Sequence, residues 1–287
     1  MALKKFLMAG IVAVVLVACG DDDSSDFATR PGEDSSPACE DCDDSSSSKA
    51  KSSSSATSSS SSLVGRIPCD INTDEDCFKD ERDGQTYRTV KIGSQTWMAE
   101  NLNYAYLQPT DELDSSSFCY KDSAEYCEKY GRLYQWRAAM DSAGTWSSNG
   151  KGCGYGKTCS PTYPVRGICP EGWYLPTRSE WYTLFTALGG QSMANKMLKS
   201  TSGWDDYDGE NGDGTDAYAF SALPAGLRSY GGDFSNEGNR AYFWSSTENN
   251  SYDAYFMNLN YYNYADLYTL YKSFGFSVRC VKDVQAE

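Results

Sequence analysis

The sequence contains no histidine among its 287 residues. This absence excludes Ser-His-Asp and Cys-His nucleophilic catalysis, histidine-ligated iron and nearly all catalytic zinc sites. What remains possible is carboxylate, lysine or tyrosine chemistry, or a metal held by oxygen ligands.

Basic residues are also scarce, with 25 lysines and arginines against 40 aspartates and glutamates and a formal net charge of −15. Binding to nucleic acid requires a basic surface that contacts phosphates. We therefore expect no nucleic-acid partner and no affinity for anionic lipid surfaces.

The only long apolar run, residues 6–17, is shorter than the ~20 residues that a membrane-spanning helix needs. Lys4 and Lys5 precede it and small residues follow it, which is typical of a secretory signal. The sequence LVAC (16–19) resembles a bacterial lipobox, so residues 1–18 are predicted to be a lipoprotein signal peptide and Cys19 to carry the lipid. The alternative is an ordinary secretion signal in which Cys19 is incidental.

Residues 19–62 are predicted to form a disordered tether, because they are rich in aspartate and serine and poor in apolar side chains. The acidic residues directly after Cys19 resemble a surface-export signal, or they simply solvate the tether. We expect an anchor in the bacterial outer membrane, with the folded domain, residues 63–287, exposed at the surface.

The eleven cysteines of an exported chain indicate a disulfide framework. If Cys19 carries the lipid, ten remain. Local spacing favours pairs within 69–77, 119–127 and 153–159, and Cys39 and Cys42 then pair in the tether or stay redox-labile. Cys169 and Cys280 are left over and would close a long loop. No zinc ribbon is indicated by the spacing. The predicted disulfide residues of the domain are Cys69, Cys77, Cys119, Cys127, Cys153, Cys159, Cys169 and Cys280.

Local patterns predict an α+β domain. Residues 85–92 and 95–98 alternate around Gly93-Ser94 as a hairpin does. Apolar spacing predicts a helix over 126–140. A capping box, Thr177 to Glu180, predicts a helix that ends at Gly189-Gly190, and a second short helix is predicted over 193–200. The predicted later strands are 220–224, 241–245, 254–259 and 274–281.

Six motifs stand in an order that resembles the Fibrobacter succinogenes major paralogous domain, a family of exported bacterial proteins whose function is essentially unassigned. The resemblance covers residues 77–283 or so. The motifs are RDGQTYRTVKIGSQTWMAENLNY (82–104), CYKDSAEYCEKYGRLYQWRAAM (119–140), CPEGWYLPTRSEW (169–181), FSALPAG (220–226), FWSSTE (243–248) and GFSVRCVKD (275–283).

Two of these segments, LPTRSEW (175–181) and GFSVRC (275–280), are also similar to formylglycine-generating enzymes. That similarity implies a C-type-lectin-like fold with two helices, small antiparallel sheets that join the termini, and long irregular loops. In that fold a disulfide commonly links the region near the second helix to the last strand, which agrees with a bond between Cys169 and Cys280.

The functional sites of those relatives are missing. There is no cysteine between Cys169 and Cys280 to complete a copper pair and no histidine to hold iron. The calcium–sugar motifs of C-type lectins are absent too, because Gln108-Pro109 is followed by threonine and Trp244 by serines. Fold alone therefore assigns no function.

An acidic, glycine-rich loop, residues 205–216, offers oxygen ligands of the kind that calcium takes. The alternative is a solvated loop stabilised by Asx turns. No cofactor is required by the sequence, but calcium is possible, and its expected ligands are Asp206, Asp208, Asp213 and Asp216.

Seven tyrosines stand among asparagines and aspartates in residues 252–271. Tyrosine offers a large rigid face and asparagine offers adaptable hydrogen bonds, a mixture that suits polysaccharide recognition. Alternatively, the tyrosines simply pack on a sheet, because strands favour aromatic residues. The candidate ligand-binding residues are Trp244, Glu248, Asn249, Tyr255, Tyr261 and Tyr262.

Glycoside hydrolysis needs two carboxyl groups close together, and the spacing of Glu100, Glu180 and Glu248 brings no two together. We therefore expect a binding protein rather than an enzyme: a surface lipoprotein that adheres to a glycan or to a surface partner. The alternatives are a structural envelope protein or protein-interaction module without a glycan ligand, and a carboxylate-dependent hydrolase.

Overall fold

The computed structural model describes residues 68–107, 116–262 and 264–284. The predicted signal peptide and tether, with Cys19, Cys39 and Cys42, lie outside these residues. No helix within the described ranges has both the length and the apolar character needed to cross a membrane. The helices are α1 Ala124–Tyr130, α2 Trp136–Ala139, α3 Arg178–Ala187 and α4 Gln191–Leu198, with a 3₁₀ turn at Tyr120–Asp122. The strands are β1 Cys77–Lys79, β2 Thr86–Ile92, β3 Gln95–Met98, β4 Ser117–Phe118, β5 Leu133–Gln135, β6 Trp173–Tyr174, β7 Ala225–Arg228, β8 Phe234–Glu237, β9 Arg240–Glu248, β10 Asp253–Asn260, β11 Ala265–Tyr271, β12 Gly275–Phe276 and β13 Val281–Lys282.

The first and last strands of the described part share one sheet, in the order β1-β2-β3-β13-β6. The predicted hairpin is confirmed: β2 and β3 pair antiparallel around Gly93, whose φ of 60° suits a tight turn. Val281 of β13 pairs with Trp97 of β3 and with Tyr174 of β6. The C-terminal strand therefore closes the sheet that the N-terminal hairpin begins.

A second sheet has the order β11-β10-β9-β7-β12-β5-β4, with β8 paired to β7. Its pairings are antiparallel except for the parallel contact between β7 and β9. Helices and largely antiparallel sheets in one chain confirm the predicted α+β class.

Strand β10 lies between two hydrophobic cores. Its side chains alternate, so that Phe256 packs into one cluster with Trp136 and Phe276, while Met257 packs into the other with Trp181. A strand buried on both faces cannot present a flat binding surface along its length. This corrects the expectation that residues 252–271 form one continuous recognition strip.

The predicted helix over 126–140 is wrong. Helix α1 ends at Tyr130, and Gly131 has a φ of 73° that favours glycine. A Cβ at Gly131 would lie 2.9 Å from the Asn101 side chain, so the chain turns there to pass close to another segment. The following residues form β5, and only the short α2 remains of the predicted helix.

The capping box is confirmed. Thr177 Oγ1 accepts a hydrogen bond from the Glu180 N–H (3.2 Å), and a Glu180 carboxylate oxygen accepts one from the Thr177 N–H (2.7 Å). Helix α3 ends before Gly189, which has a φ of 84°. The second short helix is also confirmed, although α4 begins two residues earlier than predicted, at Gln191.

Two of the predicted strands need correction. Residues 220–224 are not a strand, since Ser221 has a φ of 51° and the strand begins only at Ala225. Residues 274–281 divide into β12 and β13, because the chain crosses between the sheets there: Val278 and Cys280 accept backbone hydrogen bonds from Leu102 and Met98. The predicted strands 241–245 and 254–259 are confirmed and lie within the longer β9 and β10.

Four disulfides join the predicted pairs, namely Cys69–Cys77, Cys119–Cys127, Cys153–Cys159 and Cys169–Cys280. The last one spans 111 residues. In the chain-entropy model a loop of that length contributes about 4–5 kcal/mol to the free energy of unfolding. It links the turn before β6 to the segment between the sheets.

Candidate functional site

The acidic loop is built around a tight reverse turn. The N–H groups of Tyr207 and Glu210 each donate to the other residue's carbonyl at 2.9 Å. Asp208 and Gly209 between them have φ values of 52° and 80°. Positive φ at both central residues is the geometry of a type I′ turn, for which Asp-Gly is a favoured sequence. Asp208 is therefore explained by the turn, and Tyr207 stands at its first position.

The same loop is attached to the domain by side chains that point inward. Lys199, only 1% exposed, donates to the carbonyls of Gly212 and Asn260. Asp213 accepts from the Trp204 N–H at 3.0 Å, and Asp216 accepts from the Ser221 N–H at 2.7 Å. The loop is thus held against the domain at several points.

Calcium binding finds no support in this geometry. Asp213 and Asp216 are engaged by the donors just described, whereas Asp206 and Asp208 are exposed. Within the described ranges, no three Asp, Glu or Cys side chains are grouped so that they could hold a metal ion. Calcium binding stays a prediction from the sequence.

The end of the β10–β11 hairpin is fixed by a buried asparagine of α4. Asn195, 0% exposed, donates to the carbonyls of Asn260 (3.1 Å) and Tyr262 (2.8 Å) and accepts from the Asn260 N–H (3.1 Å). The Tyr261 N–H donates to the Asn239 carbonyl at 3.0 Å. The backbone that carries Tyr261 and Tyr262 is therefore set by the domain itself.

Three tyrosines from these two segments form one surface group, which we call the tip cluster: Tyr207, Tyr261 and Tyr262. The ring centroids of Tyr207 lie 4.9 Å from Tyr261 and 4.4 Å from Tyr262, at steep interplanar angles. Tyr261 and Tyr262 are 4.4 Å apart, and their hydroxyl groups lie 3.2 Å from each other. Tyr207 is 43% and Tyr262 38% exposed. Mutual contact fixes the rings while leaving aromatic surface open to a ligand.

Residues 90–282 of the chain match the Fibrobacter succinogenes major domain. The chain belongs to this family. No curated protein and no solved structure matches the chain.

Acidic residues lie next to the tip cluster. Asp205, Asp206, Asp208 and Glu210 flank Tyr207 in the sequence and are exposed. The hydrogen bond with Tyr262 raises the pKa of Tyr261, whose hydroxyl is neutral at physiological pH, while the Arg240 cation acts on it in the opposite direction. The cluster therefore offers neutral hydroxyl groups and ring faces, and the four exposed carboxylates beside Tyr207 outnumber this cation and disfavour anionic ligands.

Trp244, a predicted ligand contact, lies in the core of this family member. It is 0% exposed, its ring packs 4.3 Å from Phe276, and its Nε1 donates to the Tyr134 carbonyl at 2.7 Å. Both faces of β9 are covered, in agreement with the continuous apolar run of residues 241–244. The expectation that Trp244 contacts a ligand is corrected accordingly.

The remaining predicted contacts are scattered. Tyr255 is partly buried and lies beneath the Arg178 guanidinium, 4.6 Å from its ring centroid. Glu248 forms a short ion pair with Lys272 and accepts from the Cys159 N–H at 2.9 Å. Asn249 is exposed in the turn after β9. Of the six candidates, only Tyr261 and Tyr262 come together at the surface.

The three glutamates considered for acid–base chemistry each have separate partners. Glu180 belongs to the capping box and accepts from the Tyr174 hydroxyl at 2.5 Å. Glu100 accepts from the Arg88 N–H at 2.6 Å. Glu248 pairs with Lys272. Each carboxylate has a structural explanation in these contacts.

A second group of exposed tyrosines lies at the other end of the same hairpin, and we call it the base cluster: Tyr155, Tyr252 and Tyr271. The Tyr155 ring lies 5.3 Å from Tyr252 and 6.2 Å from Tyr271, edge to face. Asp253 pairs with Tyr271 in the β10–β11 register, which places this cluster at the strand ends opposite the tip. The base cluster and Tyr207 were missed as site residues, although the Asp208-Gly209 pair is a recognisable type I′ turn signal.

Proposed function

We propose that the chain is a bacterial surface lipoprotein, anchored through Cys19, whose extracytoplasmic domain binds a neutral glycan at the tip cluster. The observation that carries this proposal is the mutual contact of Tyr207, Tyr261 and Tyr262 on two segments that the domain holds in place. No catalytic step is part of the proposal.

Sugar recognition agrees with the chemistry of the cluster. Pyranose rings present C–H faces that stack on aromatic rings, while their hydroxyl groups need hydrogen-bond partners such as tyrosine hydroxyls. The tyrosines are already ordered by Asn195 and by one another, so little conformational entropy is lost on binding. The acidic surroundings favour a neutral polymer over an anionic one.

For the fold, we propose the C-type-lectin-like arrangement that the sequence resemblance implies. Two features support it: the hairpin β2–β3 and the last strand β13 share one sheet, and Cys169–Cys280 ties the turn before α3 to the C-terminal segment.

The test is retention of the full chain on insoluble neutral polysaccharides, compared between two double variants. Tyr207→Ala with Tyr262→Ala removes the tip cluster, and we expect about tenfold weaker retention from the lost ring contacts. Tyr155→Ala with Tyr271→Ala removes equally exposed tyrosines from the base cluster and should retain wild-type binding.

Equal loss in both double variants, or no retention of the wild type on any neutral polysaccharide, would overturn the proposal. In that case, cross-linking in intact cells to one fixed protein neighbour would support the structural alternative instead.

A further inference from the structure

A separate pocket with several charged residues in its lining lies away from both tyrosine clusters, where the start, middle and end of the domain meet. It has a volume of about 230 Å³. Arg279 lies in its wall, between β12 and β13. The other lining residues come from β2, the segment after β3, the end of α1, the segment after α4 and the loop before β7.

Arg279 is a buried cation without a carboxylate partner. It is 1% exposed, and no carboxylate of the described ranges lies within 4 Å of it. Its guanidinium donates to Asn101 Oδ1 (2.8 Å), to the Phe220 carbonyl and to the Ser221 carbonyl (3.0 Å). These bonds use three of its five N–H groups. Two donors of a buried positive charge therefore have no acceptor in the described part of the domain.

The position of Arg279 is rigid. Its guanidinium carbon lies 4.3 Å from the Phe220 ring centroid and 5.4 Å from that of Phe243. Burial lowers the pKa of the guanidinium, but an arginine keeps its charge at neutral pH. A buried charge without a counter-ion is unfavourable unless a ligand or further hydrogen bonds complete it.

The two acidic residues of the lining, Asp216 and Glu100, act on this charge only through space: both raise the pKa of Arg279, but neither forms an ion pair with it. Asp216 accepts from the Ser221 N–H and hydroxyl, at 2.7 and 2.5 Å. Glu100 accepts from the backbone N–H of Arg88. The Arg88 side chain is exposed at the pocket, and the Lys129 ammonium lies 3.8 Å from Glu237. The lining therefore carries three cations against two carboxylates, an excess of positive charge in a chain of net charge −15.

We propose that this pocket binds the carboxylate of a monosaccharide acid. A planar carboxylate matches the fork of arginine N–H groups. The hydroxyl groups of Thr201 and Ser202 in the lining provide partners for sugar hydroxyl groups, and the small volume suits a single ring rather than a polymer surface. This site is distinct from the tip cluster and does not rest on the function proposed there.

The test is isothermal titration calorimetry of the full chain at pH 7.5 and low ionic strength. D-galacturonate is the probe, with D-galactose as the neutral ring and acetate as the carboxylate without a ring. We expect saturable binding of galacturonate, at least about tenfold weaker binding of acetate, and none of galactose at the same concentration. Galactose binding as tightly as galacturonate would overturn the anion site, and acetate binding as tightly would overturn the sugar acid.

A pair of variants on β2 locates the binding. Arg88→Gln removes the exposed cation at the pocket and should weaken galacturonate binding about fivefold or more. Lys91→Gln removes the same charge from the same strand, three residues away and on its other face, and should bind like wild type. Arg279→Met is expected to abolish binding but also to destabilise the core, so the β2 pair is the decisive comparison.

Identical affinities in Arg88→Gln and Lys91→Gln, or no galacturonate binding by the wild type, would overturn the proposal. Binding that persists when Tyr207 and Tyr262 are both alanine would show that the two sites are independent.

Discussion

The two ends of the β10–β11 hairpin carry similar exposed tyrosines on different supports. The tip cluster rests on hydrogen bonds from Asn195 and Lys199. The base cluster rests on Lys272, which is 1% exposed and donates to the carbonyls of Gly154 (3.3 Å), Lys157 (3.1 Å) and Ser251 (3.1 Å). The three tyrosines of the cluster are sequence neighbours of Lys272, Gly154 and Ser251.

Charge balance distinguishes the two buried lysines. Lys272 has Glu248 as an ion-pair partner, whereas Lys199 has only carbonyl acceptors in the described part of the chain. Burial lowers the pKa of Lys199 to about 8, and Asp213, which acts on it without forming an ion pair, offsets this only in part. A buried lysine thus supports each end of the hairpin, as a member of an ion pair at the base and as a cation bonded only to carbonyl groups at the tip. The stability of the two ends should therefore respond differently to mutation, to disulfide reduction and to pH.

The largest effect on the free energy of unfolding is expected at the base cluster. Lys272→Met removes one member of a buried ion pair and leaves Glu248 and three carbonyls without their donor. The free energy of unfolding should fall by about 3–5 kcal/mol, as measured by chemical denaturation. Lys157→Met removes an exposed charge from the adjoining loop and should cost less than about 0.5 kcal/mol. A loss below about 1 kcal/mol for Lys272→Met would show that the pair contributes little.

A smaller effect is expected from the Cys153–Cys159 disulfide, which closes the loop whose carbonyls bind Lys272. Replacing both cysteines with serine should lower stability by about 2 kcal/mol in the chain-entropy model. Amide exchange should accelerate in residues 249–253 but not in residues 260–262. The control is the serine pair at Cys119 and Cys127, which closes a similar short loop elsewhere. Equal acceleration at both ends of the hairpin would contradict separate supports.

Local signals predicted the parts of the fold that depend on neighbouring residues. The hairpin at Gly93, the capping box at Thr177 and the short-range disulfides are all set within a few positions of sequence. The predicted helix over 126–140 failed because its break at Gly131 depends on the close approach of Asn101, about thirty residues earlier. The period of the apolar residues contains no information about that contact.

The candidate site was predicted only in part, for a similar reason. Tyr261 and Tyr262 were recognised by residue type, but Tyr207 belongs to a different segment and joins them only through the fold. Trp244 was misplaced because it was judged by residue type alone, whereas the continuous apolar run of residues 241–244 is typical of a strand covered on both faces. The charge of Arg279 could be read from the sequence, but its lack of a carboxylate partner could not.

The smallest effect, and the sharpest contrast between the hairpin ends, is the pH dependence of Lys199. Folding lowers its pKa from 10.5 to about 8, so between these values the unfolded chain holds more protons than the folded one. Stability should therefore rise with pH in this window, by about 1.5 kcal/mol between pH 8 and 9.5. Measurements should stop there, because buried Tyr106 and Tyr130, whose pKa values burial raises, reduce stability above pH 10.

Lys199→Met should abolish this part of the pH dependence, and subtracting its curve from that of the wild type cancels the contribution of the other groups. Lys91→Met, an exposed lysine of β2 that is not among the charges acting on Lys199, should leave the slope unchanged. A wild-type slope that survives in Lys199→Met would mean that the amine is already compensated in the folded state. The tip cluster would then rest on a support as balanced as the ion pair at the base, and the proposed difference between the two ends would disappear.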